Sequence, residues 1–598
     1  MEVLSMTYIA DSIGNDYKNW GAGQIVFISA PTGSGKTTFI FKKILPAWGG
    51  KGKVLYLVNR KILKEQLKER MRGVVTDQGY PLSVMIDIKT YQEVEQEARE
   101  LVWNPAVNMY ITEEAGGFWN SYKNYTSYGC VICDECHYFL MDSNYNTNTI
   151  YSYKVIRDLF KDKLRIFMSA TIEEIQEQIE KDFRQTTAIQ SDWLNLQRQV
   201  ANPVSPRYSD KWKYYSLDVN YDYLDIHIIK NTDEIPKLIM EDNNKWLIFV
   251  DSITKGHELR KKILADIDKE NKSNKDDVLF ISAGYILDPE SKKEVEEIIH
   301  HNKQSARILI ATSVLDNGIN LEDVELRNLV ILADSKTEFI QMLGRKRKDG
   351  NKVKVYVCGR SKAHFIRRQN NHNKQLDIAL DCIGRIWKSW FPVVNDSRYS
   401  DQQKQNKESE LILYEHQILM KNIMDRYVRM GDVQATFVER AGVLHLNRLS
   451  LQNLMNLNKF YEKIIARFEL EGEDAFLREQ LEWLEINSDE INQIIQESKT
   501  NRLDKSLKIV EDAFEAQVNK PMSKEENADF KNSIKTELMV LCKEIRDENK
   551  KATLEDVLTK KGHALTKPNI ETLRNEFGFP YKMDVKKGTY TIQKIEDK

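Results

Sequence analysis

Ile25-Val26-Phe27-Ile28-Ser29-Ala30-Pro31-Thr32-Gly33-Ser34-Gly35-Lys36-Thr37 is an apolar run that breaks into glycines and a lysine, and the helix-like Thr38-Phe39-Ile40-Phe41 follows at once. Strand, glycine-rich turn and helix in that order are the setting of a phosphate-binding loop. The glycines let successive backbone N–H groups converge on triphosphate oxygens. Lys36 brings a point charge to the β- and γ-phosphates, and the Thr37 hydroxyl is of the kind that ligates Mg²⁺. The helix turns its positive dipole end toward the same place. Ala30, Thr32, Gly33, Ser34, Gly35, Lys36, Thr37 and Thr38 are the expected nucleotide-binding residues, with Ala30 at a position where such loops begin with glycine.

The rest of the chain frames this loop. Its 598 residues suffice for three or four domains of about 150 residues each, and 41% hydrophobic with 30% charged residues is a globular composition. No apolar run approaches the ~18 residues that span a bilayer, and Met1-Glu2-Val3-Leu4 lacks the basic start of a secretory signal. A cytoplasmic protein without membrane contact is expected. A net charge of −2 means that any nucleic acid must be held in a local groove rather than by a generally basic surface. Six cysteines are few for this length and fit a reducing compartment. Cys130, Cys133, Cys136 and His137 have metal-like spacing, but on a strand residues i and i+3 point to opposite faces. Core cysteines are the better reading.

Asp134-Glu135-Cys136-His137 closes the apolar run around Val131 and Ile132, and Leu164-Arg165-Ile166-Phe167-Met168 leads into Ser169-Ala170-Thr171. An acidic pair at a strand end is suited to holding Mg²⁺ and polarising a water beside a triphosphate. The ordered series from Ala30–Thr37 through Asp134–His137 to Ser169–Thr171 resembles the first motor domain of a superfamily 2 helicase of the DExH-box type. That resemblance implies Asp134 as the magnesium partner beside Thr37, Glu135 as the group that activates water, and His137, Ser169 and Thr171 as the coupling residues. Asn59 and Arg60 end the strand Val54–Val58, which resembles motif Ia. With Thr90 and Tyr91, they are expected to face the backbone of a single strand. Thr90 has a second reading, as the cap of the helix that follows. Tyr17 and Trp20 lie where relatives place an aromatic against adenine, and both also suit a core.

Trp246-Leu247-Ile248-Phe249-Val250-Asp251-Ser252 resembles motif IV, and Arg307 to Asn320 resembles motif V. By that resemblance Ser252, Thr312 and Gly318 touch nucleic acid, and Asn320 meets the ribose of ATP. Gln341-Met342-Leu343-Gly344-Arg345-Lys346-Arg347-Lys348 resembles motif VI, implying catalytic roles for Gln341 and Arg345. Arg347 and Lys348 stand where the family has a glycine and a second arginine, so Lys348 is the positional match for the second finger and Arg347 the alternative.

The expected fold class is α/β: two tandem RecA-like parallel-sheet domains, then a mostly α-helical region ending in a small winged-helix-like module. The expected boundaries are 1–195, 196–370, 371–545 and 546–598, with Tyr214–Val219 running into the second motor domain. Within 546–598, Thr553–Asp556 reads as a helix start, Ile570, Leu573 and Phe577 as a second helix ending at Gly578, and Tyr581 to Ile592 as a hairpin. ATP and Mg²⁺ are the implied cofactors, and DNA or RNA the implied partner, single-stranded in the motor groove. Two other readings stand beside the motor: a nucleotide-gated clamp or scaffold whose helical C-terminal half recruits a protein partner, and the motor subunit of a restriction or phage-defence assembly.

Overall fold

The computed structural model describes residues 8–48, 51–75, 79–99, 101–104, 109–112, 125–144, 146, 148–185, 211–217, 220–270, 277–282, 288–315, 321–375, 437–440, 443–446 and 448–595. These divide into two compact units, Met1–Leu484 and Glu485–Lys598. No described helix is long and apolar enough to cross a membrane.

The first unit holds two six-stranded sheets, every pairing in them parallel. In chain order the first is built from β1 (Ile25–Ser29), β2 (Lys53–Val58), β3 (Ile86–Thr90), β4 (Tyr128–Asp134), β5 (Leu164–Ser169) and β6 (Trp212–Ser216), arranged β3-β2-β4-β5-β1-β6. Apart from the buried Arg165 of β5 and polar residues at the strand ends, the central strands are apolar because both faces are covered. Ile25, Phe27, Leu57, Cys133 and Phe167 enter one core, and Val26, Ile28, Tyr56, Cys130 and Ile132 the other. Cys130 and Cys133 thus lie on opposite faces, as the period of two requires. The five described cysteines are buried and free.

The register brings the chemistry together. Ser29 pairs with Ser169, and Asp134 with Met168, so the loops leaving β1, β4 and β5 all open at one edge, where α/β sheets bind ligands.

The second sheet comprises β7 (Leu224–Ile229), β8 (Lys245–Phe249), β9 (Val278–Ile281), β10 (Ile308–Ala311), β11 (Leu326–Ile331) and β12 (Val353–Cys358), in the order β9-β10-β8-β11-β12-β7. Two boundaries need correction. Trp212–Ser216 is not an entry to the second lobe: it pairs in parallel with β1 along its whole length, Ile25 with Trp212 through Ser29 with Ser216. The aromatic rings of Trp212 and Tyr214 stack on Phe27 at 6.0 and 5.5 Å, so the first lobe runs past residue 195 to Ser216.

The second correction concerns the C-terminal half. Helix Arg448–Glu471 and helix Ala475–Glu482 belong to the motor unit. At its start, Leu449 enters the core of the first lobe and the Asn453 amide donates to the Leu140 carbonyl at 2.9 Å. Farther along, Phe460, Tyr461 and Phe468 surround Phe365 of the second lobe, whose ring lies 4.7 Å from that of Phe476. Trp483 meets Phe339 at 5.6 Å, on the helix Lys336–Leu343 that carries Gln341. One helical hairpin is therefore rooted in both lobes.

The second unit has its own core, in which Val510 and Phe514 of the helix Ser488–Gln517 pack with Leu554, Leu573, Phe579, Tyr581 and Ile592. The terminal module is thus larger than 546–598, because its hairpin shares this core with a helix that begins at Ser488. The hairpin of β14 (Tyr581–Lys586) and β15 (Thr589–Lys594) gains a third strand, β13 (Pro521–Met522). Lys587 and Gly588 both take positive φ, 51° and 80°, as a two-residue turn of matching twist demands. Thr553 does not start a helix: Asp547 caps Glu548–Thr559, and the Thr553 hydroxyl donates to the Asn549 carbonyl at 2.9 Å from inside it. In sequence, Asp396–Glu410 reads as a polar exposed loop and Leu411, Tyr414 and Ile418 as a helical periodicity; both stretches lie outside the described residues.

Phe365 is fully buried among four aromatic rings. Phe365→Ala is expected to lower the unfolding free energy of the motor unit by about 3–5 kcal/mol in a urea titration.

Candidate nucleotide and nucleic-acid site

Gly33 and Gly35 hold φ of 91° and 84°, a region glycine enters without strain, and they wrap the loop around the start of the helix at Lys36. The Lys36 ammonium, 8% exposed, folds back on its own loop and donates to the carbonyls of Ala30 and, at 3.1 Å, Pro31. Burial lowers its pKa, against the opposing pull of the Glu135 and Asp134 carboxylates. Gly33 and Thr38 are exposed, and Ala30 and Ser34 are buried beneath the loop.

At the end of β4, two places from β1 in the sheet, Asp134 is fixed from three sides. Its Oδ2 accepts from the Tyr56 hydroxyl at 2.7 Å, its Oδ1 from the Glu135 N–H at 3.1 Å, and its main-chain carbonyl from the Tyr91 hydroxyl at 2.9 Å. Burial, with Glu135 beside it, pushes Asp134 up to about 6. Glu135 sits at φ 51°, a conformation that costs a non-glycine residue of order 1 kcal/mol and is concentrated at functional sites. The turn delivers its carboxylate to the cleft. Burial raises the Glu135 pKa, but Lys36, then His137 and Arg345, outweigh it and hold the group below the usual range.

His137 Nδ1 lies 3.0 Å from Ser169 Oγ and 3.4 Å from Glu135 Oε2, and Ser169 Oγ accepts from the Thr171 N–H at 3.1 Å. Residues from β4 and β5 thereby form one chain of contacts. The donor set suits a hard cation: the Thr37 hydroxyl and the Asp134 carboxylate are both oxygen donors of the kind Mg²⁺ takes, and the carboxylate is held in place by the Tyr56 hydroxyl.

The second lobe reaches into this group. Gln341 Nε2 donates to Glu135 Oε2 at 3.3 Å, and Arg345 Nη2 to Thr32 Oγ1 at 3.4 Å, while Arg345 Nε is tied to the Gln341 carbonyl at 2.9 Å. A Cβ on Gly344 would lie 2.6 Å from Thr32 Oγ1, so only glycine lets the loops approach this closely. The segment after Gly344 runs extended, pinned through the Leu321 N–H to the Arg345 carbonyl and through the Arg347 N–H to the Leu321 carbonyl. In an extended segment alternate residues share a side. Arg345 and Arg347 face the phosphate loop together, and Lys346 turns away to the Asp323 carbonyl and Asp349. The Arg347 guanidinium lies so close over Gly33 that a Cβ there would meet its Nη1 at 2.5 Å.

This corrects the expectation for Lys348. Its amine bonds to the Asn220 carbonyl and rests 4.6 Å above the Tyr223 ring. The spacing in sequence favoured position 348, but the extended backbone presents 347.

The strand-contacting residues divide. Arg60 and Thr312 line a cleft of about 770 Å³ between the lobes, along with His137, Asp251, Asp334 and Gln341. Asn59 is buried at 2% exposure, and Arg60 faces Asp142 at 3.8 Å. Thr90 and Ser252 are caps: Thr90 Oγ1 accepts from the Glu93 N–H while Glu93 Oε2 accepts from the Thr90 N–H, and Ser252 Oγ accepts from the Lys255 N–H. Gly318 and Asn320 lie outside the described residues. Trp20 is buried, packs on Phe39 and donates to the Tyr215 hydroxyl at 3.3 Å, and Tyr17 also packs edge-on against Phe39. Both serve the core.

Tyr91, expected to face a nucleic-acid backbone, is instead fully buried with its hydroxyl on the Asp134 carbonyl. Sequence reading missed Tyr56, which looks like an ordinary strand aromatic, and it missed Asp334. The Asp334 carboxylate takes Arg360 at 3.2 Å, His364 at 2.8 Å and Arg368 at 3.2 Å. These cations hold it well below the usual carboxylate range despite burial. Its signal was available: like Asp134, it follows an apolar strand.

Residues 10–174 match the family model described as type III restriction enzyme, res subunit, and residues 230–350 match that of the helicase conserved C-terminal domain. No curated protein matches the chain. Among solved structures, Mycobacterium smegmatis helicase Lhr bound to ssDNA and AMP-PNP is 15% identical over 60% of this chain and 46% of its own, with a TM-score of 0.39. S. cerevisiae Dbp5 bound to RNA and ADP BeF3 is 15% identical over 56% of this chain and 79% of its own, TM-score 0.36. The E. coli DExH-box NTPase HrpB is 14% identical over 60% of this chain and 42% of its own, TM-score 0.35. The match spans less than half the length of the Lhr and HrpB chains.

The capping geometry of Thr90 has a measurable consequence. Thr90→Ala is expected to cost about 1 kcal/mol in thermal unfolding and to leave nucleic-acid affinity within twofold in a binding titration.

Proposed function

We propose, from the premise that the two lobes form a superfamily 2 helicase motor, that this chain hydrolyses Mg-ATP between them and converts closing and reopening of the cleft into movement along, or unwinding of, DNA or RNA. The observation that carries this reading is the pair of contacts across the cleft, Gln341 to Glu135 and Arg345 to Thr32.

Each residue then has a task. Lys36 exchanges the carbonyls of Ala30 and Pro31 for the β- and γ-phosphate oxygens, whose charge its buried ammonium matches. Glu135, kept ionised by Lys36, takes proton density from the attacking water, and Gln341 holds that carboxylate in place. Arg345 and Arg347 gather the charge that grows on the γ-phosphoryl group. Thr37 and Asp134 would hold Mg²⁺, which neutralises charge on the phosphate oxygens. His137, bonded to Ser169 and lining the cleft, links occupancy of the nucleotide site to the channel where Arg60 and Thr312 would meet a strand. Asn59, Gly318 and, toward the ribose, Asn320 complete the proposed contacts. Five buried free thiols support a reducing compartment such as the cytoplasm.

The match of residues 10–174 to a restriction-enzyme subunit supports a second reading, in which the same motor translocates within a larger assembly without separating strands. Turnover measured apart from strand displacement discriminates the two.

ATP turnover should rise when DNA or RNA is added, and no stimulation by any member of a panel of single- and double-stranded polymers counts against the proposal. In that assay Lys36→Ala should abolish nucleotide binding, whereas Glu135→Gln should keep binding and stop turnover. Arg347→Ala should lower kcat by roughly 10²-fold or more, and Lys348→Ala by less than about threefold. The reverse order would return the second finger to Lys348.

A further inference from the structure

Tyr56 lies on β2, away from every motif that marks the nucleotide site, yet its side chain ends inside it. The residue has no exposed surface, and its ring packs on Phe41 of the phosphate-loop helix at 5.9 Å. Parallel pairing sets Tyr56 beside Ile132 of β4, two residues before Asp134, and the phenol spans that remaining length along the strand. Its hydroxyl donates to Asp134 Oδ2 at 2.7 Å, while Oδ1 takes the Glu135 N–H at 3.1 Å. One bond on each oxygen fixes the carboxylate's orientation and leaves each oxygen further acceptor capacity.

We infer that Tyr56 is a positioning residue for the divalent cation, its buried hydroxyl fixing the orientation of the Asp134 carboxylate that would hold the metal. The inference rests on the proposed Mg-nucleotide site. It follows the general behaviour of metal centres, in which a fixed outer hydrogen bond orients the ligating oxygen and its loss costs about 10- to 100-fold in metal affinity. A bland alternative exists: a buried phenol needs some acceptor, and Asp134 is the nearest. The two differ in what they make sensitive to Mg²⁺, since a merely structural phenol would affect the fold and the metal-free site alike.

The test uses the full-length chain and a fluorescent ADP, titrated with and without Mg²⁺. Wild type should bind more tightly as Mg²⁺ is added, and the absence of that tightening overturns the Mg-nucleotide reading itself. Tyr56→Phe should keep metal-free ADP affinity within twofold while the Mg²⁺ concentration for half-maximal tightening rises about 10- to 100-fold. Placing 4-aminophenylalanine at position 56, which keeps the ring and an N–H donor, should recover part of that loss. An unchanged Mg²⁺ requirement in Tyr56→Phe, a loss shared equally by metal-free binding, or no recovery with the amino analogue overturns the inference and leaves the parent reading standing.

Discussion

A buried ammonium governs this molecule. Lys36 is shut away from water, and an isolated charge in that position is prohibitively costly unless compensated. Its compensation comes from Asp134 and Glu135 on a strand two places away in the sheet, and the fold is arranged so that these groups converge. The opposing lobe then adds two guanidiniums, Arg345 and Arg347, to the same small volume. Cations outnumber the carboxylates there, which leaves the closed cleft an electrostatic receptacle for a polyanion.

The carboxylates are held in opposite senses. Asp134 is raised, by burial and then by the Glu135 charge, against the Tyr56 hydroxyl and Lys36; Glu135 is lowered because Lys36, His137 and Arg345 together outweigh its burial. Two neighbouring acids with divergent proton affinities can divide metal holding from proton transfer. The strained φ of Glu135 and the glycine at 344 are local costs that make the division geometrically possible.

Closure is not a matter of these contacts alone. A single helix, Arg448–Glu471, is rooted in the core of the first lobe at Leu449 and in an aromatic cluster of the second around Phe365. Trp483 on the same hairpin backs the helix that carries Gln341. A packed helix is stiff, so reopening the cleft must bend the rod or loosen one root. Motion of the lobes is therefore coupled to the helical region that follows them.

Much of this was legible in one dimension. The phosphate loop, the strand-terminal Asp134 and Ser169, and the glutamine and arginine of 341–345 are local patterns: an apolar run ends, and a polar group appears where a strand meets the sheet edge. What depended on pairing was not legible. Trp212–Ser216 has no pattern that says which sheet it joins, Thr90 and Ser252 cap helices as readily as they grip phosphate, and Thr553 sits inside a helix begun by Asp547. Residue order by itself determined that two parallel-sheet lobes exist and which strand ends carry chemistry, because hydrophobic periodicity and loop composition are properties of neighbours along the chain. Only the tertiary structure decided that Arg347 rather than Lys348 overlies the phosphate loop and that Tyr56 reaches Asp134, because strand register and backbone alternation orient side chains from segments that share no sequence neighbourhood.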